Sequence, residues 1–217
     1  MKSVVSVFIF IFLFQACSSP QPNNNWQYQA TSSLDAYTKH YLEGNAIRAK
    51  VDLSRARKQA KQSAQLHTLV NIELSVCAMY IGSLKPNECK NTSDLLVIEP
   101  DPSQKAYLAL LNSQLSSTQV NELPPQYQAF ASTLLESDIQ GVNEQTTKIK
   151  SLTSRLIASA LIKDQLDDKN IQELIDRLSY HGYKTPLLAW LKFQIKKEKD
   201  KEKKAKMKAK LEILTSH

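Results

Sequence analysis

Apolar residues recur at spacings of three and four along most of the chain after residue 30, and this periodicity constrains the fold more than any other feature. The cleanest example is the series Ile171, Leu174, Ile175 and Leu178, which is typical of the buried face of an α-helix. No long alternating pattern of a β-strand competes with it. Only four glycines occur in 217 residues, and scarce glycine with abundant Leu, Ala and Lys favours helix over sheet. We therefore expect an all-α fold of about nine helices, joined mostly by short turns that place neighbours antiparallel.

Capping residues and prolines predict where several helices begin. The segment Ser32 to Asp35 has the pattern of a capping box before the first helix, which Gly44 ends. The predicted starts of later helices are Asp101-Pro102, Pro124-Pro125, Asp167-Asp168 and Thr185-Pro186. One helix is expected to carry the stripe Ile149, Leu152, Leu156 and Ala160. Residues 84–100 contain two prolines and are expected to be irregular.

The first residues have the pattern of a signal peptide. Lys2 supplies a positive start, and the apolar run from Val4 to Phe14 is about half the length of a membrane span of about 20 residues. The run ends at Phe14-Gln15-Ala16-Cys17, which resembles the lipobox of bacterial lipoproteins. An ordinary cleaved signal is the alternative.

The resemblance to lipoproteins implies that residues 1–16 are removed and that Cys17 carries the lipid. Two or three acyl chains anchor a protein stably, whereas one does so only marginally. Ser18, rather than an Asp, implies export to the periplasmic face of the outer membrane in preference to retention at the inner membrane. Residues 17–31 are polar and contain prolines, so they are expected to form a flexible tether. A helical domain is then expected over residues 32–217.

Two further cysteines, Cys77 and Cys89, form an even pair in what should be an oxidising compartment. We expect a disulfide that closes a loop of about a dozen residues and stabilises the fold by about 3 kcal/mol. A metal site would need more ligands than the nearby His67, and a redox couple would normally have a closer spacing. The disulfide is therefore the favoured interpretation.

Positive charge is concentrated near the end of the chain. Residues 192–210 contain ten lysines and three acidic residues, while residues 3–191 balance 17 basic with 17 acidic residues. The expected basic patch lies in a C-terminal helix, residues 192–214, and consists of Lys192, Lys196, Lys197, Lys203, Lys204, Lys206, Lys208 and Lys210. Such a helix could bind anionic lipid, lipopolysaccharide or an acidic partner. The favoured interpretation is a solvated helix that caps the domain and packs inward through Ala205, Ala209, Leu211, Ile213 and Leu214.

Residues 36–56, AYTKHYLEGNAIRAKVDLSRA, resemble the middle of a tetratricopeptide repeat. The matching positions are Tyr41, Gly44, Asn45, Ala49, Leu53 and Ala56. Glycine permits a tight turn between antiparallel helices, and small residues let their backbones approach. The resemblance implies helix pairs stacked as a short right-handed solenoid whose concave face binds another protein or a peptide.

Known catalytic patterns are missing from the sequence. The four histidines, His40, His67, His181 and His217, form no H-E-x-x-H motif, and no G-x-S-x-G or phosphate-binding glycine loop occurs. Asp167-Asp168 is explained by a helix start. We therefore expect no enzymatic activity, cofactor, metal or small-molecule substrate. Nucleic acid is not an expected partner, because the tail lacks aromatic residues that stack on bases.

These observations favour a non-catalytic adaptor anchored to the outer membrane that supports assembly of an envelope complex, such as a secretion, pilus or outer-membrane protein machinery. The partners would be the membrane, through the lipid, and an envelope protein. The alternative is a module that grips anionic lipid, lipopolysaccharide or cell wall through the basic helix. A cryptic hydrolase would require a pocket with convergent polar groups, which no motif indicates.

Overall fold

A computed structural model describes residues 25–64, 66–86 and 89–216 of the protein. Within these ranges the chain forms eleven α-helices and one 3₁₀ helix, and no strand. In chain order the α-helices are α1 (Asn25–Glu43), α2 (Ala46–Ala60), α3 (His67–Gly82), α4 (Lys90–Ile98), α5 (Pro102–Leu111), α6 (Pro125–Leu135), α7 (Ile139–Lys148), α8 (Leu152–Leu161), α9 (Asp168–Tyr180), α10 (Lys184–Lys197) and α11 (Lys201–Thr215). The 3₁₀ helix, Ser117–Glu122, lies between α5 and α6. The all-α prediction is confirmed.

The described residues contain more helices than the nine that the sequence predicts. The prediction of irregular structure over residues 84–100 is wrong for residues 90–98, where Thr92 and Leu96 are buried one turn apart and form the inner face of α4. The helix predicted to carry the stripe from Ile149 to Ala160 exists as α8 but begins only at Leu152, so its predicted start is wrong. The backbone is extended at Ile149, and Ser151 caps α8 by accepting a hydrogen bond from the Ser154 amide.

Helix α1 begins seven residues before the predicted domain boundary at residue 32. Ala30 is completely buried against Ala56 and Ala60 of α2 and against Leu69 and Ile72 of α3. This contact gives the first turns of α1 a packed face, which isolated short helices lack. The segment 32–35 therefore lies inside the helix instead of capping it, and the prediction of a tether extending to residue 31 is wrong.

Helix α3 lies at the centre of the domain. It contacts α1, α2, α4, α5 and α8, and its buried residues face several directions, from Val70 and Ile72 to Cys77 and Met79. A helix that is apolar on most sides is the expected solution for such a central position. The surrounding helices can therefore bury their apolar stripes against one shared element.

Cys77 of α3 and Cys89, the residue that precedes α4, are joined by a disulfide. Their Cα atoms are 5.2 Å apart, within the ordinary range for such bonds. The predicted disulfide between these two cysteines is therefore present in the structure. The bond fixes the start of α4 to the central helix.

Neighbouring helices stack as pairs, as in α1–α2, α6–α7 and α9–α10. Other contacts join elements that are distant in sequence, because α3 packs on α8 and α1 packs on α10. The indole Nε1 of Trp190 in α10 donates a hydrogen bond of 3.0 Å to the carbonyl oxygen of Gly82, at the end of α3. The C-terminal helices are therefore bound to the centre of the domain.

Candidate functional site

The turn motif that resembles a tetratricopeptide repeat joins α1 to α2. Gly44 has a φ of +85°, a conformation that residues with a Cβ rarely adopt. Asn45 caps α2 by accepting a hydrogen bond from the Arg48 amide at 3.2 Å. Ala49 and Ala56 are buried and Leu53 is half-buried against the core. These residues hold two helices together, and none of them is free to act as a ligand-binding group.

Tyr41, the first residue of that motif, belongs to a buried aromatic cluster. Its ring centroid is 5.7 Å from those of Tyr37 and Tyr80, and the Nζ of Lys85 lies 4.9 Å from it. Burial raises the pKa of Tyr41, an effect that the nearby hydroxyl of Ser83 opposes. Burial also raises the pKa of Tyr37. Burial thus keeps the phenols of Tyr37 and Tyr41 neutral, and the cluster braces α1 against α3.

The histidine and acidic candidates make structural contacts. Nδ1 of His40 lies 2.6 Å from Oδ2 of Asp52, linking α1 to α2, and Arg55 contacts the other oxygen of the same carboxylate at 3.3 Å. Asp167 caps α9, as the sequence predicts, by accepting a hydrogen bond of 2.6 Å from the amide of Asn170. These contacts are explained by helix pairing and capping.

A groove of about 830 Å³ lies where α11 runs beside α9 and α10. Its basic residues are Lys197, Lys199, Lys203, Lys206 and Lys210. Its apolar residues are Ile175, Leu191 and Met207. The remaining lining residues are Asp168, Gln172, Gln194 and Glu198. Ile175 and Leu191 are almost completely buried, so Met207 provides the accessible apolar side chain of a groove with an excess of positive charge.

Three lysines of α11, at positions 203, 206 and 210, share one face because residues three and four apart are neighbours on a helix. They span about 10 Å along the helix axis, at 1.5 Å per residue. Opposite them, Nε2 of Gln194 donates a hydrogen bond of 2.9 Å to Oε1 of Gln172, joining α10 to α9. The α11 wall of the groove is thus cationic, whereas the facing wall carries the amides of Gln172 and Gln194 beside Asp168 and Lys197.

Part of the positive charge in the groove is already paired. Lys206 contacts Glu202 at 2.6 Å, and Lys197 lies 3.4 Å from Asp168, with all four side chains at least a third exposed. Such exposed pairs are weak and exchange readily with other partners. Lys199, Lys203 and Lys210 form no ion pair within the described part of the chain. The groove therefore presents cations to an anionic ligand.

Helix α11 is held at the surface by one narrow stripe. Lys204, Met207, Leu211 and Leu214 are half-buried, and no residue of the helix is fully buried. The prediction that Ala205, Ala209 and Ile213 pack inward is wrong; Ile213 is 74% exposed. The contact stripe follows spacings of three and four from Lys204, whose Nζ donates to the carbonyl oxygen of Glu198 at 3.1 Å.

The prediction of one basic helix over residues 192–214 is wrong, because α10 ends at Lys197 and α11 begins at Lys201. The predicted basic patch is therefore divided between two helices. Lys197, Lys203, Lys206 and Lys210 line the groove, whereas Lys192, Lys196 and Lys208 are exposed outside it and Lys204 packs against the body. Sequence reasoning missed Lys199 and the walls that α9 and α10 supply. No local signal marks those walls, since the helices become neighbours of α11 only on folding.

Some expected features lie outside the described residues or take no part in the groove. Cys17, the predicted lipidation site, precedes the first described residue. Between residues 25 and 216, none of the described helices combines the length and hydrophobicity of a membrane span. Within the same part of the chain, no three His, Cys, Asp or Glu side chains converge as metal ligands would.

Comparison with known proteins finds no family model that matches the chain, no curated protein with a similar sequence and no solved structure with a similar fold.

Proposed function

We propose that this protein is a lipoprotein, anchored through Cys17 to the periplasmic face of the outer membrane, and that it acts as a non-catalytic adaptor. Its partner would be an envelope protein in secretion, pilus or outer-membrane protein assembly. The pattern of residues 1–17 supports the anchor and the compartment. The groove between α9, α10 and α11 supports the adaptor role, and its combination of lysines with apolar residues is the observation that carries the proposal.

The chemistry of the groove indicates what the partner supplies. Carboxylates of an acidic segment would pair with Lys199, Lys203 and Lys210, and an apolar side chain of the segment would cover Met207, which is half-buried. Charge complementarity of this kind accelerates association and selects partners, while apolar burial supplies affinity. The proposed ligand is therefore an acidic segment with interspersed apolar residues.

A tetratricopeptide-like, right-handed stacking of the helix pairs belongs to the same proposal. The Gly44 turn and the buried alanines of α2 support it at one helix pair. The contacts of α1 with α10 and of α3 with α8 are additional to those that neighbouring units of a solenoid make.

A second candidate function is binding to anionic lipid, lipopolysaccharide or cell wall through the basic helix. The observation that favours it is that Lys192, Lys196 and Lys208 are exposed outside the groove. Charge on exposed sides of two neighbouring helices, α10 and α11, suits a broad anionic surface better than a single docked segment.

Site-specific photocrosslinking in the native cell tests the proposal. A photoreactive residue in place of Met207 faces the groove, whereas the same residue in place of Ile213 lies on the exposed side of the same helix. We expect the Met207 position to capture an acidic segment of one envelope protein, and the Ile213 position to capture much less. Capture at Met207 should fall at least about tenfold in Lys203→Glu/Lys210→Glu, because like charges repel.

The matched control is Lys192→Glu/Lys196→Glu, which makes the same charge change outside the groove. It should preserve capture. Capture of lipid or lipopolysaccharide at both positions, lost equally in both charge variants, would replace the adaptor with the second candidate. Lipidation is checked separately from the mass of the N-terminal peptide, which should begin at an acylated Cys17 and be missing from Cys17→Ala.

A further inference from the structure

The early start of α1 limits how far the domain can move from its proposed anchor. Cys17 and Asn25 are eight residues apart. A polypeptide spans at most about 3.3–3.6 Å per residue, so this segment reaches about 28 Å at most. If Cys17 is lipidated, as the proposed function requires, the beginning of α1 lies no farther than that from the membrane.

The end of α2 lies beside the beginning of α1. Ala30 packs against Ala56 and Ala60, and Gln29 lines the same surface depression as Lys58. This is the arrangement expected of an antiparallel hairpin. The short segment therefore also keeps the part of α2 that lines this depression close to the anchor.

The exposed surface around this depression is basic and partly apolar. The depression, of about 650 Å³, is lined by Lys50, Val51, Arg55 and Lys58, with Val51 53% exposed. Tyr28 does not line the depression but precedes Gln29, which does, and it is 64% exposed. We call this surface the hairpin face.

Positive charge on the hairpin face is poorly balanced. Helix α2 carries five basic residues, of which Arg57 is paired with Glu73 of α3, and one acidic residue, Asp52. Asp52 is buried, and His40 and Arg55 already share its carboxylate. Lys50 and Lys58 form no ion pair within the described residues. Residues 3–191 are neutral in total, so this local excess of positive charge on the hairpin face is not evident from their net charge.

We infer that the hairpin face is a second membrane contact, which binds anionic phospholipid headgroups beside the lipid anchor. Lys50 and Lys58 attract the phosphates, and Tyr28 suits the headgroup region, where amphipathic aromatic rings are enriched. The anchor makes this contact intramolecular, so individually weak interactions suffice. The face thereby orients the domain on the membrane instead of leaving it to turn freely.

Tryptophan fluorescence can test this contact. The chain has two tryptophans. Trp26 is half-buried near the start of α1, and Trp190 is completely buried in the core. A brominated lipid quenches a tryptophan that reaches the membrane surface. Trp26 therefore reports the contact, while Trp190 supplies a constant signal from the folded domain.

The chain from Cys17 onward is coupled through the Cys17 thiol to a maleimide phospholipid, with Cys77 and Cys89 held in their disulfide. The vesicles contain brominated phosphatidylcholine with or without about 30 mol % phosphatidylglycerol. We expect Trp26 to be quenched at least about twofold more in the anionic vesicles, and the difference to shrink at high salt. Trp26→Phe should remove the quenched component.

Lys50→Glu/Lys58→Glu should abolish the extra quenching, while the matched Lys203→Glu/Lys210→Glu should preserve it. Equal quenching in neutral and anionic vesicles, or quenching that the hairpin variant leaves unchanged, would overturn the inference. An unchanged emission from Trp190 verifies that each variant is folded. Because the chemical anchor replaces cellular lipidation, absence of acylation at Cys17 in the cell would defeat the proposed function without altering this result.

Discussion

Helices α10 and α11 follow one another in the chain and are both rich in lysine, yet they contribute to the molecule in different ways. Helix α10 buries Leu187, Trp190, Leu191 and Ile195 in the core. Helix α11 has no fully buried residue and touches the body along one stripe. Substitutions in α10 should therefore report on folding, whereas substitutions on the groove side of α11 should report on binding.

The largest effect on stability is expected from truncating a buried side chain of α10. Trp190→Ala removes a completely buried side chain and its hydrogen bond to Gly82. We expect the free energy of unfolding to fall by about 3–5 kcal/mol, as for other large-to-small core substitutions. Urea denaturation followed by circular dichroism measures it. A loss below about 1 kcal/mol would mean that α10 is not part of the core.

A smaller effect is expected from the bond that ties α4 to the central helix. The double variant Cys77→Ala/Cys89→Ala should lose about 3 kcal/mol of stability, since the disulfide restricts the unfolded chain. Cys17→Ala is the matched control and should leave the same unfolding transition unchanged. Two reactive thiols from Cys77 and Cys89 in the denatured, unreduced protein would contradict the pairing.

The sequence predicts well those features that depend on residues close together in the chain. Asp101 and Asp167 each cap a helix through a bond to an amide three residues ahead, so the pattern that predicts the cap also contains its partner. The turn at Gly44 and the stripe of α9 are local in the same sense. Most predicted helix starts are correct for this reason.

The features that the sequence did not predict depend on contacts between distant segments. Nothing around Ala30 signals a helix start, because its partners Ala56 and Ala60 are supplied by α2. The groove between α9, α10 and α11 also depends on such distant contacts. Its lysines are visible in the sequence, but Gln172 and Leu191 face them only after α9, α10 and α11 have packed together.

The smallest effect on stability is expected from truncating a half-buried side chain of α11, and it tests whether this helix opens independently of the core. Leu211→Ala truncates a half-buried residue, so the global free energy of unfolding should fall by about 1 kcal/mol or less, below the 1.5–3 kcal/mol of a fully buried leucine. Hydrogen exchange monitored by mass spectrometry should nevertheless change within α11. The amides of α11 should exchange through local opening, and faster in the variant. The amides around Trp190 in α10 should stay protected up to the free energy of global unfolding.

If α11 and α10 instead exchange together in both proteins, α11 belongs to the same cooperative unit as the core. In that case the charge variants of the groove would alter folding as well as binding, and the separation between the two helices would fail.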